Sequence, residues 1–557
     1  KIIVLGAGLA GLRCAQDLVT KHGFETKQVV VLEASHRIGG RIKTNTSFIE
    51  GFSVDLGAEL IHGDQTSLYS LAKENEWEME EFISLAQGDG GPLPAESNDG
   101  FGLFFVGGEK RMLGMDSKDP GYVHLNAYLA SLGGQWPSLK LQRNHSTISD
   151  HSTNASSTPQ PSPNTSPPSV SSRDSGPPSS TGAKPVARRK ASPSLLDGLL
   201  GAGVKDPMLG IANAGYANTV GAALKDTGLC GMCFLESEWD VDGDRTFVLK
   251  GGLGLVVKEL STNIKSCIQT GWPAAKVDHS APGFVTVTCR DGRKEQGTHV
   301  VCTLPLSVLQ DGDVEFCPPL PEKKRKAFES MGMCSAVKVI LKFDRPILPQ
   351  LLHGCICSES FIPEFWFRYP NLRNIPEGAY TFLAVGFAAG PPADAISALN
   401  PEEALQKALA QLDDMFGGRA WLDCGGCTGK GDWENHPGPA KVYPPQSSSE
   451  YRSPSGAGVN GSAGEGENSA ERSEKVGASL AEPTELPSDS YIGGLVHDWT
   501  NSEPFVRGGY CYPRLEFDES TPADAASAVG DKVFFAGEHT NTPIGMTVHA
   551  AIDSGKR

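Results

Sequence analysis

The chain has 557 residues, 39% hydrophobic and 21% charged, the balance of a globular protein with enough length for a large core. Its net charge of −17 argues against a general nucleic-acid binder and suits a small cationic partner, although a merely acidic surface reads the same way. No run of about 18 apolar residues occurs, so no membrane-spanning helix is expected.

The chain opens on a strand. Ile2-Ile3-Val4-Leu5 is followed by Gly6-Ala7-Gly8-Leu9-Ala10-Gly11, then by Leu12, Ala15, Leu18 and Val19 at helical spacing, with Gly23 as the stop. A second apolar run, residues 29–32, ends in Glu33. Gly6 serves a tight turn, Gly8 lets backbone approach a pyrophosphate, and Gly11 lets helix pack on strand. The helix N-terminus attracts phosphate, and Glu33 accepts from ribose hydroxyls. Glu33 disfavours a 2′-phosphate, which leaves NAD or FAD. Glu33-Ala34-Ser35-His36-Arg37-Ile38-Gly39-Gly40-Arg41 continues as a second glycine loop, where Arg41 can fork onto phosphate oxygens. Asp55-Leu56-Gly57-Ala58-Glu59-Leu60-Ile61-His62-Gly63 comes next.

Residues 144–191 are rich in Ser, Pro and Thr and hold no aromatic residue; residues 437–490 are rich in Ser, Gly, Glu and Pro. Neither can offset the entropy of ordering, so both read as disordered insertions. The first has no heptads and hence no coiled-coil arm, and its Arg188-Arg189-Lys190 run reads as a solvated basic stretch. Residues 195–239 are mostly helical in pattern, and 247–252 lead into a helix near Leu253. Residues 285–288 alternate toward Asp291-Gly292, a hairpin signal. Residues 300–306 return the chain to the nucleotide-binding part, and a strand is expected at 337–343. Lys338 and Lys342 share a face of that strand, and either could snorkel from it if the strand lay at an edge. Of thirteen cysteines, Cys230 with Cys233 and Cys424 with Cys427 form CxxC pairs. They lie too far apart for a zinc ribbon and lack a histidine pair, which favours ordinary thiols over a metal or redox site. Residues 533–535 form a last strand before Gly537-Glu538-His539-Thr540 and Gly545-Met546-Thr547-Val548-His549. The chain begins at Lys1 within a strand and stops at Arg557 within a helix, so both ends read as trimmed. The compartment stays open, with cytoplasm and peroxisome both fitting.

The runs 33–41 and 55–63, the block Cys302-Thr303-Leu304-Pro305-Leu306 with Ser335-Ala336-Val337-Lys338-Val339, and the final block 533–551 resemble the flavin-containing amine oxidases: monoamine oxidases, polyamine oxidases and lysine-specific histone demethylases. The resemblance covers the whole chain outside the insertions and selects FAD. It implies an α/β, two-domain flavoprotein. A Rossmann-like FAD-binding domain would come in three segments, 1–63, 247–321 and 491–557. An interleaved α+β substrate domain would come from 64–143, 192–246 and 322–436.

The resemblance also implies roles. Lys338 stands where the family has its active-site lysine, holding a water against flavin N5; only that register separates it from Lys342. Gly6, Gly8, Gly11, Glu33, Ala34, Arg37, Gly40, Arg41, Gly57, Ala58, Glu59, Leu60, Ala274, Thr303, Glu538, Thr547 and Val548 fall at cofactor-binding positions. His62, Tyr510, Thr547 and Trp499 fall at substrate positions, although His62 would also suit a structural histidine. Trp499 is one residue farther from Pro504 than the family pattern, and Gly509 replaces its serine. Tyr510 occupies the position of the covalent cysteine of monoamine oxidases. Cys511, one residue late, should point away from the flavin, giving non-covalent FAD. The expected reaction is oxidation of a polyamine C–N bond to aldehyde, shorter amine and H2O2, with a cationic amine and O2 as partners. Monoamine oxidase, demethylase-like activity and a silent scaffold are the alternatives.

Overall fold

The computed structural model describes residues 1–82, 101–114, 117–140, 191–239, 245–345, 347, 352–368, 381–417, 486–541 and 545–557. A five-stranded parallel sheet is built around Ile2–Leu5. Val29–Leu32 and His299–Cys302 flank it, with Ile268–Gln269 and Val533–Phe535 outermost. The strands thus come from the start, the middle and the end of the chain. Parallel neighbours need crossovers, and the first is the helix Leu9–Thr20. Val29–Leu32 is buried on both faces, which explains its unbroken apolar run. The last helix, Val548–Lys556, packs on the first so closely that a Cβ on Gly555 would lie 2.4 Å from the Ala10 carbonyl oxygen.

A seven-stranded sheet forms the second layer. Its order is Tyr491–Asp498, Ala336–Phe343, Phe382–Ala389, Glu364–Arg368, Leu352–Ser358, Phe101–Val106 and Arg111–Gly114. Ala336–Phe343 is an interior strand, so neither of its lysines snorkels from an edge. Val337, Val339, Leu341 and Phe343 share a core with Ala404, Leu405, Ala408, Leu409 and Leu412 of the helix Pro401–Phe416. That helix starts on a capping box between Asn400 and Glu403 and carries its apolar residues at helical spacing. Alternation then commits Lys338, Ile340 and Lys342 to the opposite face, where Ile340 packs with Trp366, Leu383, Val54 and Leu56. A one-residue slip would bury the lysines under the helix.

Residues 195–238 are helical as expected, in short pieces that include a π-helical turn, Asn213–Ala217. The hairpin pairs Val285–Cys289 with Lys294–Gly297. The insertion at 144–191 lies outside the described residues but for Ala191, and so does most of 437–490. The end of the second corrects the sequence reading: Pro487–Ser490 is a short 3₁₀ turn in which Asp489 bonds the Leu486 amide.

Candidate active site

The glycine loops form a cradle. A Cβ on Gly11 would sit 2.0 Å from the Gly6 carbonyl oxygen, so only glycine lets the first helix meet the first strand here. Thr303 fastens the turn from below, its hydroxyl donating to the Leu5 carbonyl at 2.8 Å. Gly8 bridges Gly39, and a Cβ on Gly40 would come within 3.2 Å of the Gly8 Cα. Two stretches of bare backbone thus face one another at the N-terminus of Leu9–Thr20, which no side chain caps. Glu33 is buried at the end of the second strand and accepts the Ala7 amide at 2.7 Å and the Ser35 amide at 2.9 Å. Each oxygen keeps a lone pair for a hydroxyl. Backbone bonds from Gly271 to Ser35 and from Trp272 to Glu33 close this corner, with Ala274 just beyond on its own strand and Ala34 between the bonded residues. A helix terminus without a side-chain cap, a cradle that Cβ atoms would fill and a buried acid at the strand end together fit a dinucleotide.

Arg41 spends one nitrogen on Glu538 and on the Gly509 carbonyl, both at 2.8 Å. Burial would raise the Glu538 carboxyl, but the Arg41 guanidinium holds it low, so it stays an acceptor. Tyr510 and Cys511 do diverge. The Tyr510 hydroxyl donates to the Thr219 carbonyl at 2.7 Å, whereas the Cys511 thiol lies 2.9 Å from Glu538. Cys511 therefore faces away from Tyr510, as alternation requires, and sits beside Glu538. Burial and Glu538 push its thiol far up, so it is no thiolate. Thr547 uses its hydroxyl to cap the last helix through the Ala550 amide, and Val548 is that helix's first residue. Arg37 donates to the Ile42 carbonyl and pairs with Glu503.

Trp499 is held by the protein itself. It is buried, its indole N–H bonds the Leu56 carbonyl at 2.8 Å, and His497 and Arg37 cover its ring. It supports the loop at Gly57, where a Cβ would lie 2.7 Å from the Trp499 ring and 2.0 Å from the Arg41 carbonyl oxygen. Ala58 donates to that same carbonyl. Leu60 and His62 lie on a short strand paired with Thr246–Leu249. The His62 ring centroid is 6.3 Å from Trp239 and 5.9 Å from His549.

Glu59 accepts Lys338 Nζ at 2.7 Å and Arg368 at 2.9 Å, and Lys338 also donates to the Asp55 carbonyl at 2.9 Å. Burial works against the Glu59 charge, but Lys338 and Arg368 hold its pKa low. Burial, with Glu59 nearby, raises the Asp55 carboxyl to about 6, while Thr44 and the Leu253 amide bond it. The Lys338 head group is thus buried in ionic contacts rather than solvated. It also lies 5.2 Å from the Trp366 ring, which stacks on Phe387 at 5.4 Å. Lys342 makes a long bond, 3.3 Å, to the Phe48 carbonyl and lies 4.9 Å from the Phe48 ring.

Sequence reasoning missed Arg368, Trp366, Phe387, Asn218 and Glu364. Glu364 is buried, accepting the Trp366 indole at 2.7 Å and Asn218 at 3.3 Å. Burial raises its carboxyl to about 7. His549 was also missed: it is fully buried, neither ring nitrogen meets a hydrogen-bond partner, and burial lowers it to about 3. No sequence signal marks these residues, since each depends on a strand pairing or a helix contact. Cys230 and Cys233 are buried free thiols on the helix Leu229–Glu238, and no metal-ligand cluster occurs among the described residues. Cys424 and Cys427 lie outside them. No described helix is long and apolar enough to cross a membrane.

The family model of the flavin containing amine oxidoreductases matches residues 9–151, 197–463 and 471–557. A rice lysine-specific histone demethylase 1 homolog is 24% identical over 62% of this chain and 32% of its own length. Probable polyamine oxidase 4 of Arabidopsis thaliana is 25% identical over 74% of this chain and 71% of its own. The chain spans about a third to two thirds of the length of the first curated relatives. Cyclohexylamine oxidase from Brevibacterium oxydans shares the fold, with a TM-score of 0.65 at 17% identity, covering 100% of this chain and 97% of that one.

Proposed function

The chain belongs to the flavin-containing amine oxidoreductases and its cofactor is non-covalent FAD; from that premise we propose that it oxidises a C–N bond of a polyamine. The observation that carries this reading is the buried Lys338–Glu59–Arg368 group beside the Trp366–Phe387 stack. Gly6, Gly8, Gly11, Glu33, Gly40 and Arg41 would hold the dinucleotide, and Glu538 would accept from its hydroxyls. When bound, FAD supplies the two-electron acceptor and passes the electrons on to O2.

The side chains bind, orient and exclude water. Lys338 spends two N–H groups on Glu59 and Asp55, which leaves the third to hold a water. Glu59, fixed from its other oxygen by Arg368, keeps the lysine from turning. The stacked rings offer faces to a cationic chain and deny it bulk water. His62 stands ready as a polar contact at the other strand. Loss of two electrons and two protons to O2, giving H2O2, turns the C–N bond into an imine, which one water then hydrolyses to an aldehyde and a shorter amine.

Mixing purified protein with spermine or spermidine under anaerobic conditions tests the reading. The visible flavin spectrum should bleach, and air should restore it with H2O2 release. Acid precipitation should leave the yellow colour in the supernatant. Bleaching by benzylamine but by neither polyamine would overturn the substrate assignment, and a colourless native protein would overturn the whole.

A further inference from the structure

A cleft of about 500 Å³ lies against the helix Glu322–Glu329, within the size range of small-molecule sites. Its apolar walls are Val314, Leu320 and Phe328, all buried, and the half-buried Phe316. The Phe328 ring leans on Phe535 at 6.2 Å and on His539 at 5.9 Å, and the Phe316 ring meets Phe535 at 6.0 Å. The cleft thus backs onto the segment that carries Glu538. None of its lining residues belongs to the glycine cradle or to the Lys338 group.

Two arginines stand at its rim, Arg325 on the helix and Arg514 just after the strand Cys511–Pro513. Arg325 donates Nε to the Leu320 carbonyl at 3.3 Å, and Arg514 donates Nη1 to the Glu329 carbonyl at 3.4 Å. Both bonds are long, and most of each fork of donors is left unspent. Among the described residues neither arginine reaches a carboxylate. Elsewhere in this acidic chain arginines find acids, as Arg37, Arg111, Arg245 and Arg290 do. The acids at this rim do not answer: Asp311 is taken by Arg507 at 2.9 Å, and the Glu329 carboxylate makes no ion pair among the described residues. Glu329 follows Arg325 by one helical turn, so the Arg514 contact brings both guanidiniums to one face of the helix. Two like charges held together repel, and a shared oxyanion would turn that repulsion into charge-assisted bonds.

We propose that this cleft binds an organic anion, a ring-sized apolar body packed on Phe316 and Phe328 with a carboxylate or phosphate held by Arg325 and Arg514. The apolar walls offer nothing to a bare inorganic ion, and the volume is that of a small molecule. The site is separate from amine oxidation, so its test stands whatever the substrate.

Calorimetry on the FAD-loaded protein compares 2-naphthoate, 2-naphthyl phosphate, the neutral 2-naphthamide and inorganic phosphate. At least one organic anion should bind one site per chain, with the amide and inorganic phosphate at least ~10-fold weaker, about 1.4 kcal/mol. Tighter binding of the carboxylate or of the phosphate ester names the anionic group and upholds the site either way. Arg325→Gln and Arg514→Gln should each weaken the preferred anion at least ~10-fold. Glu329→Gln should tighten it, because a negative charge leaves the rim. All three side chains are exposed and make at most one long bond, so melting temperature and flavin spectrum should match wild type and confirm folding. Equal binding of naphthoate, naphthyl phosphate and naphthamide would overturn the site. So would inorganic phosphate binding as tightly as either anion, affinity unmoved by both arginine variants, or no binding at millimolar concentration.

Discussion

Replacing Lys338 by methionine removes one of two cations on Glu59 and leaves Arg368 as the other. The variant is therefore more than the loss of a water-holding amine. Breaking a buried ion pair from one side costs about 3–5 kcal/mol, and the remaining arginine should reduce that. Lys338→Met should slow anaerobic flavin reduction at least ~10-fold, about 1.4 kcal/mol of barrier, and lower the melting temperature by several degrees. Adding Glu59→Gln should lower the melting temperature further and restore none of the rate, because the buried Arg368 then loses its counter-ion while the amine is still absent. Lys342→Met is the control, since that lysine shares the strand face but only touches the Phe48 carbonyl and ring. Equal slowing in the two single variants would show that the lysine has been assigned wrongly.

At the scale of elements, the first helix and its turn concentrate the risk. Gly11→Ala would drive a methyl into the Gly6 carbonyl, a backbone atom with no rotamer to yield. The helix must then lift from the strand, taking the phosphate-facing amides with it. Such a protein should purify colourless or fail to accumulate, whereas Gly23→Ala, at a helix end with nothing nearby, should keep its FAD; yellow Gly11→Ala protein would refute the cradle. This part of the site was legible because its chemistry is local: strand, turn, helix and acid follow one another within residues 2–41. Within its own strand Lys338 could not be told from Lys342, which shares its face; the contacts that distinguish the two come from other strands. The ion pairs of Glu59 were not legible because its partners arrive from strands about 280 and 309 residues away, and no local pattern announces them. The Trp499 bond was hidden for the same reason, since its indole is claimed by Leu56, 443 residues earlier. Glu364 was invisible in a strand, Glu364–Arg368, that is buried throughout and offers no alternation to mark a face. What sequence could not supply was which strands lie side by side.

Across the whole molecule, buried titratable groups set how stability answers to pH. Burial lowers His497 and His539 to about 4 and His549 to about 3, all from 6.5. The unfolded chain takes up protons at these three from about pH 6.5 downward while the fold does not. Their contribution is whole above that pH and is lost as pH falls toward about 4. Asp55 and Glu364, raised to about 6 and about 7, act in the opposite direction: their contribution is whole at low pH and is lost as pH rises through those values. Each group acts with a slope of at most about 1.4 kcal/mol per pH unit. Three against two leaves a net acid-side loss near one such slope between about pH 6 and 4.5. His539 is the cleanest test, because neither ring nitrogen has a hydrogen-bond partner and the groups facing it, Glu538, Arg41, Lys324 and Arg557, are all identified. With excess FAD held constant, so that ligand binding does not itself move the midpoint, His539→Leu should flatten the fall of melting temperature between pH 6.5 and 4.5. Glu364→Gln should steepen it, by removing one of the two groups that resist acid. The signs are opposite although both substitutions delete a buried ionisable side chain, so a general loss of packing cannot produce the pair. Parallel curves for His539→Leu and wild type would mean that the histidine takes up its proton without unfolding, and that its burial is not what the fold implies.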